Sequence, residues 1–235
     1  MFALIYLFAA ALLGSASIFL GWPWFPPFLQ ATLIFPLYLF HILNRDTRRA
    51  LVHMLVWALV TSAATILITV LDAQTAQQAI WRSTDYHNEM FHWIRTGVGP
   101  ESTPSQFIPQ HIWHYALFLG VSLITLGWGG LVMGAALLNY MNYYVGTLVL
   151  AATHPTNAVL VGWPPYAMIR VVAYVCGAVA LSDFVVAVVL RKNVWDRRVT
   201  RTYLLWSAGL FGVDIVVKFF LAPVWRRVLE RALSG

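Results

Sequence analysis

Among the side chains between positions 85 and 114, Asp85, Glu89, His92, His111 and His114 are of kinds that hold a metal ion or move a proton. In the run Asp85-Tyr86-His87-Asn88-Glu89-Met90-Phe91-His92, the i, i+4, i+7 spacing puts Asp85, Glu89 and His92 on one face of an amphipathic helix expected over about 76–96. Ile80, His87, Phe91 and Ile94 fall on its opposite, apolar face. His111 and His114, three apart, share a face in the first turn of the next apolar run. Carboxylate oxygens and imidazole nitrogens are ligands for Zn or non-haem Fe. Glu89 and His92 have the Glu-x-x-His spacing of di-iron bundles, but such sites need two of these motifs and two further glutamates. The metal reading is therefore a mononuclear site with His92, His111 and His114 as ligands and Glu89 as a further donor. There a metal-bound water is the nucleophile and Glu89 or Asp85 the general base. A plainer reading makes Asp85, Glu89 and His92 the wet face of an interfacial helix, with His111 and His114 as headgroup-level anchors.

A second group of polar residues lies inside apolar runs, where polar side chains default to functional candidates. His154 stands in Thr153-His154-Pro155-Thr156-Asn157, near the middle of a run over 143–161. Pro155 removes a backbone donor and should kink a helix there, as in the broken helices of transporters. The alternative is a buried histidine bonded to a neighbouring helix. Asp214 and Lys218 are i, i+4 in the last run and can neutralise each other within one helix. Arg170 and Asp183 stand near opposite ends of the run before it. Together His154, Asn157, Asp183, Asp214 and Lys218 outline a transporter or channel path for an ion or small solute.

The piece Gly212-Val213-Asp214-Ile215-Val216-Val217-Lys218-Phe219 resembles the retinal-binding helix of microbial rhodopsins. The resemblance implies a Schiff-base lysine at Lys218 with Asp214 in its counter-ion. It covers two residues of one helix, and the chain departs from the family elsewhere. The third span has no interior carboxylate or arginine, and the sixth offers only Tyr174 and, at its edge, Tyr166 to flank a polyene. An ion pair needing no cofactor accounts for the same two residues. A haem reading pairs His41 with His53 on one side, and His111 or His114 with a loop histidine on the other. Cys176, in Tyr174-Val175-Cys176-Gly177-Ala178, has no base beside it and reads as packing.

The elements that must position these groups follow from composition. The chain has 235 residues, 60% hydrophobic and 10% charged, with mean hydropathy +0.71. Soluble domains carry about 25% charged residues, so a soluble globular fold is excluded, as are disorder and collagen. The expectation is an all-α, polytopic integral membrane bundle forming a single transmembrane domain over 1–235. Spans are expected at about 2–20, 28–43, 50–71, 112–138, 143–161, 165–190 and 202–222, seven in all, or six if the fifth is re-entrant. The polar stretch 72–110 is one long loop containing the interfacial helix, and residues 225–231 read as a short amphipathic helix in the interface. Asn139-Tyr140-Met141-Asn142-Tyr143-Tyr144 falls between spans as a polar aromatic belt.

Orientation follows the basic residues. The 45–49 loop holds three and the 191–201 loop five, which places both in the cytoplasm and the 72–110 loop outside an inner, plasma-type membrane of a bacterium or archaeon. The basic tail then disagrees, falling outside. A sequence pI of 9.7 is explained by these membrane-proximal arginines, so the expected partners are membrane lipids and not nucleic acid. The readings that remain are a metal-dependent, hydrolase-type membrane enzyme acting on a lipid or amphiphile at the outer leaflet, a transporter, and a non-catalytic membrane subunit. Clustering of the polar groups on one side favours the enzyme.

Overall fold

A computed structural model describes residues 2–189 and 198–234, and the regular elements among them are all helices. In chain order these are α1 (Phe2–Ala16, prolonged by a 3-10 turn, Ser17–Leu20), α2 (Phe25–Leu43), α3 (Thr47–Leu71), α4 (Ala73–Ala79), α5 (Ser83–Thr96), α6 (Pro104–Ile124), α7 (Trp128–Ala151), α8 (Pro155–Val161), α9 (Pro165–Val189) and α10 (Arg198–Ser234). Among the described residues six helices are long and apolar enough to cross a membrane: α1 with its extension, α2, α3, α6, α9 and α10. Local chemistry sets their ends. Asp46 caps α3 by accepting from the Arg49 backbone N–H, and Asp72 caps α4 by accepting from that of Thr75. Prolines open α6, α8 and α9, where a missing N–H costs nothing.

α7 is as long as the spanning helices, yet Asn139, Tyr140, Asn142, Tyr143 and Tyr144 make it more polar. All five are buried, because α2 and α3 pack along it. The two asparagines bond across helices, as amides in an apolar surround must. Asn139 donates to Gln30 Oε1 at 2.9 Å and accepts from Gln30 Nε2 at 3.1 Å, and Thr65 donates to the same Asn139 oxygen at 3.3 Å. Asn142 donates to Ser62 Oγ and accepts from Trp163 Nε1, both at 2.8 Å.

This corrects the expected fourth and fifth spans. The helices run over Pro104–Ile124 and Trp128–Ala151, so the 139–144 segment is the middle of a buried helix and not a belt between two. Hydropathy read the asparagines as a boundary because it cannot see their partners. The turn lies instead at Leu126 and Gly127, with φ +54 and +91. Glycine is required there: a Cβ on Gly127 would stand 2.6 Å from the Tyr38 ring.

Two smaller expectations also change. The helix expected over 76–96 is two, parted at Ile80–Arg82, where Arg82 adopts φ +58. The amphipathic piece at 225–231 is the continuation of α10, whose 37 residues extend about 55 Å, well past a hydrocarbon core of about 30 Å. Trp225 and Arg226 donate to the carbonyls of Val161 and Ile94, which holds that end on α8 and α5. The expected basic run at 191–198 lies, up to Arg197, outside the described residues.

The Gln30–Asn139 exchange gives a direct test of α7 as a buried helix. An amide left unsatisfied in an apolar surround costs about 1–3 kcal/mol. Gln30→Leu should lower the melting temperature in detergent, and Gln30→Leu/Asn139→Leu should recover part of the loss. A double variant worse than either single would mean that the two amides act separately.

Candidate functional site

Helices α3, α6, α7 and α9 surround a cavity of about 120 Å³, with α5 and the 3-10 turn Pro100–Ser102 across one end. That end is lined by Arg82, Glu89, Glu101, His111, His114 and Arg170. The opposite end, formed by the distant halves of the same helices, is lined by Met54, Trp57, Phe118, Leu131 and Ala178. One space therefore joins a charged region to an apolar one.

The charged end is built from local features. α5 is amphipathic, burying Met90, Phe91, Trp93 and Ile94, and His87 fastens it to α7 through a 2.8 Å bond between Nδ1 and Thr147 Oγ1. Burial, aided by Arg95, holds the His87 imidazole below its ordinary pKa, so it is a neutral anchor. Gly97, at φ +77, closes α5, and Ser102 and Thr103 hydroxyls donate to the carbonyls of Gly97 and Gly99. That tight return turns Glu101 towards the bundle. Arg82 lies with its guanidinium 5.8 Å from the Trp81 ring and 5.9 Å from the Tyr140 ring.

Two buried ion pairs stand beside the cavity. Arg170 donates to both carboxylate oxygens of Asp214, at 2.8 and 3.1 Å. Lys218 Nζ is 2.9 Å from Glu101 Oε1 and faces the Phe107 and Tyr166 rings at 4.8 and 5.6 Å. The Tyr166 hydroxyl donates to the other Glu101 oxygen at 3.3 Å. Asp214 and Lys218 are both fully buried, so each needs its partner. Lys218 is also 3.4 Å from His111 Nε2. An ammonium only donates, so this nitrogen accepts and the neutral ring carries its proton on Nδ1. That Nδ1 is buried with no hydrogen-bond partner, and so is Trp57 Nε1, also in the cavity wall.

The two carboxyls of the charged end behave differently. Burial, and after it the Glu101 carboxylate, raise the pKa of Glu89, which Arg82 at 4.0 Å and Lys218 only partly oppose. Burial alone would raise Glu101 too, but Lys218, Arg170 and the Tyr166 hydroxyl outweigh it and hold that carboxyl below its ordinary range. Their environments push them apart.

The residues singled out from sequence divide accordingly. Glu89, His111 and His114 come together at the cavity. Asp85 and His92 are exposed on the far side of α5. Glu89 stands at the edge of the wet face, close enough to the bundle to turn inward, whereas His92 stays in water. Among the described residues no group of three or more His, Cys, Asp and Glu side chains could hold a metal ion, so the expected ligand set is not assembled.

His154 and Asn157 are exposed, His154 just before α8 and Asn157 within it, and not inside a span, because α7 has already ended at Ala151. Asp183 is buried and accepts from Thr200 Oγ1. Asp214 and Lys218 find partners on other elements, so the lysine–aspartate arrangement implied by the rhodopsin resemblance is replaced by two separate pairs. His41 Nε2 and His53 Nδ1 are 2.8 Å apart and bond each other directly, which leaves no room for haem iron between them.

Comparison with family models, with curated proteins and with solved structures gave no match. The site therefore rests on its own geometry. Sequence reading missed Arg82 and Glu101 as site residues and did not join Arg170 to Asp214. The available signal was that Arg170 stands 13 residues from Asp183 in its own run, so that near one end of the last two runs Arg170 and Lys218 face only Asp214, which leaves a cation for a loop carboxylate to balance.

The pairing can be tested by which double variant rescues. Breaking a buried pair costs about 3–5 kcal/mol. Lys218→Met and Glu101→Gln should each lower thermal stability, and their combination should recover part of it. Lys218→Met/Asp214→Asn should be worse than either single, because it strands Glu101 and Arg170 together; rescue there would restore the within-helix pairing.

Acid should act on the same pair. Because the folded pKa of Glu101 is depressed, its stabilisation is present above the unfolded carboxyl pKa and is lost as pH falls through the folded one. Thermal melts across acid pH should show a smaller loss in Glu101→Gln than in the wild type.

Proposed function

We propose that the chain crosses the membrane seven times, with α7 as the seventh span, and that the cavity takes an amphiphile with an anionic head and acts on that head by acid–base chemistry. The observation that carries this reading is the single space with a charged end and an apolar end. The charged end holds three cations, Arg82, Arg170 and Lys218, against three carboxyls, Glu89, Glu101 and Asp214. Asp214 and Glu101 are committed to strong pairs, whereas Glu89 has only a 4.0 Å contact and a raised pKa. A proton on Glu89 leaves one uncompensated positive charge, the complement of one anionic head. Arg82 and the free N–H of His111 are donors for its oxygens, Glu89 is the proton donor or acceptor, and His114 stands in the same wall. The apolar end along Trp57, Phe118 and Leu131 is the complement of a hydrocarbon chain.

The arginines at 45–49 support placing the cavity's charged end at the outer leaflet of a plasma-type membrane. The metal-dependent version of this enzyme would need a donor in place of His92, which lies on the solvent face of α5. The transporter reading loses His154 and Asn157 from its path for the same reason of position.

Decane sulfonate, a permanent anion, and uncharged decyl maltoside separate these ideas by calorimetry on the protein in nanodiscs. The sulfonate should bind and the maltoside should not compete. Arg82→Ala should weaken sulfonate binding about tenfold, as expected for loss of a contact to a charged group worth about 1.4 kcal/mol or more. Binding should fall as pH rises through the raised pKa of Glu89, and Glu89→Gln should remove that step. Equal binding of both probes rejects the anionic head. Incubation with a lipid extract should change the mass of a lipid species with wild type but not with Glu89→Gln; binding without any such change would leave a carrier.

A further inference from the structure

We infer that the amphiphile enters the cavity sideways from the bilayer, between α3 and α9, which makes Ala58, Ala167 and Met141 the residues that control its access. This rests on the cavity being its binding site. A second space, of about 240 Å³, lies against the cavity between these two helices. Its outer rim carries Leu59 and Met168, which are 58% and 54% exposed and so face lipid in a membrane-spanning chain. Its inner wall is made of Ala58, Leu138, Met141, Ala167 and Val171, and the same five residues line the cavity itself. The two spaces are thus separated by one layer of side chains. Two of these are alanines, one on each flanking helix, and a third is the unbranched Met141, whose rotatable bonds let it swing aside.

The chemistry of this second space fixes what passes through it. Its lining is apolar apart from Ser62 and Trp163, and both of those polar groups are already bonded to Asn142. Trp163 donates its one N–H to Asn142 and Ser62 accepts from the same residue, so this space offers little to a water-soluble guest, and a hydrocarbon chain needs nothing more. Entry from the aqueous side is harder for the same chain. There it would have to part α5 from the bundle and pass Arg82, Glu89 and the Glu101–Lys218 pair, stripping those charges of their partners. Sideways entry lets the chain slide between Leu59 and Met168 while the head travels along the interface to the charged end. The occupant of the second space is therefore the chain of a bilayer amphiphile on its way to the cavity.

Dodecane sulfonate carrying a diazirine at the chain end tests this on the full protein in nanodiscs, with labelled residues mapped by mass spectrometry. In the wild type, label should appear both on the rim, at Leu59 and Met168, and inside, at Trp57 and Leu131. Ala58→Leu/Ala167→Leu fills the shared wall, so rim labelling should remain while labelling of Trp57 and Leu131 is lost. Met141→Ala thins the wall and should speed labelling of Trp57, which keeps the test decisive if the double variant fails to fold. Undiminished inner labelling in the filled variant, or unchanged speed in Met141→Ala, overturns sideways entry while leaving the cavity as the binding site. Absence of label at Trp57 in the wild type overturns the binding reading itself.

Discussion

The Glu101–Lys218 pair is the interaction on which the arrangement of the site depends. Lys218 sits in an apolar helix with almost no exposure, and an unpaired ammonium there is too costly to keep. Its partner comes from outside the helical runs, from the return between α5 and α6, so satisfying one intramembrane charge fixes a segment of loop. With Glu101 held, α5 is drawn across the end of the bundle, and Arg82 and Glu89 arrive at the cavity with it. The second pair follows the same logic between α9 and α10, where Arg170 grips both oxygens of Asp214. Replacing the within-helix Asp214–Lys218 pair by these two cross-element pairs ties three parts of the chain together where the within-helix pair would tie none.

The same constraint, that polar groups removed from water must be paired, shapes α7. Its asparagines would be a defect in a lipid-facing helix. Surrounded by α2 and α3 they become fixed points, because Gln30, Ser62, Thr65 and Trp163 each meet one of them at hydrogen-bond distance. The tyrosines of α7 then pack below α5, where Tyr140 receives the Arg82 guanidinium and Thr147 the His87 ring. A central helix of this kind builds one wall of a cavity with most of its length buried among other helices.

Which features were legible in the sequence follows from this division. The first three spans and the last two are apolar on most sides, so composition alone located them. The hairpin of α6 and α7 was misplaced because Asn139 and Asn142 imitate a boundary, and because Gly127 looks like one more small packing residue among Gly129, Gly130 and Gly134. In the site, Glu89, His111 and His114 were found by residue type and spacing. Spacing could not tell that His92, one turn from Glu89, faces water, since the edge of the buried face of α5 falls between them. Nor could it join Glu101 to Lys218 across more than a hundred residues, a contact created only by the fold.

The contrast between the two glutamates at the charged end gives the site its direction. Both are removed from water, and burial raises the pKa of each. Glu101 escapes that effect because an ammonium at 2.9 Å and a tyrosine hydroxyl stabilise its charge, which makes it a fixed anion and a structural part. Glu89 has only Arg82 at 4.0 Å and the weaker pull of Lys218, and the fixed charge of Glu101 makes its own ionisation harder still. Environments that drive two carboxyls apart in this way are how a site separates a permanent charge from a group that exchanges protons. The anion that holds the loop in place therefore also adds to what burial does to Glu89, so one residue enters both the folding constraint and the electrostatics of the site.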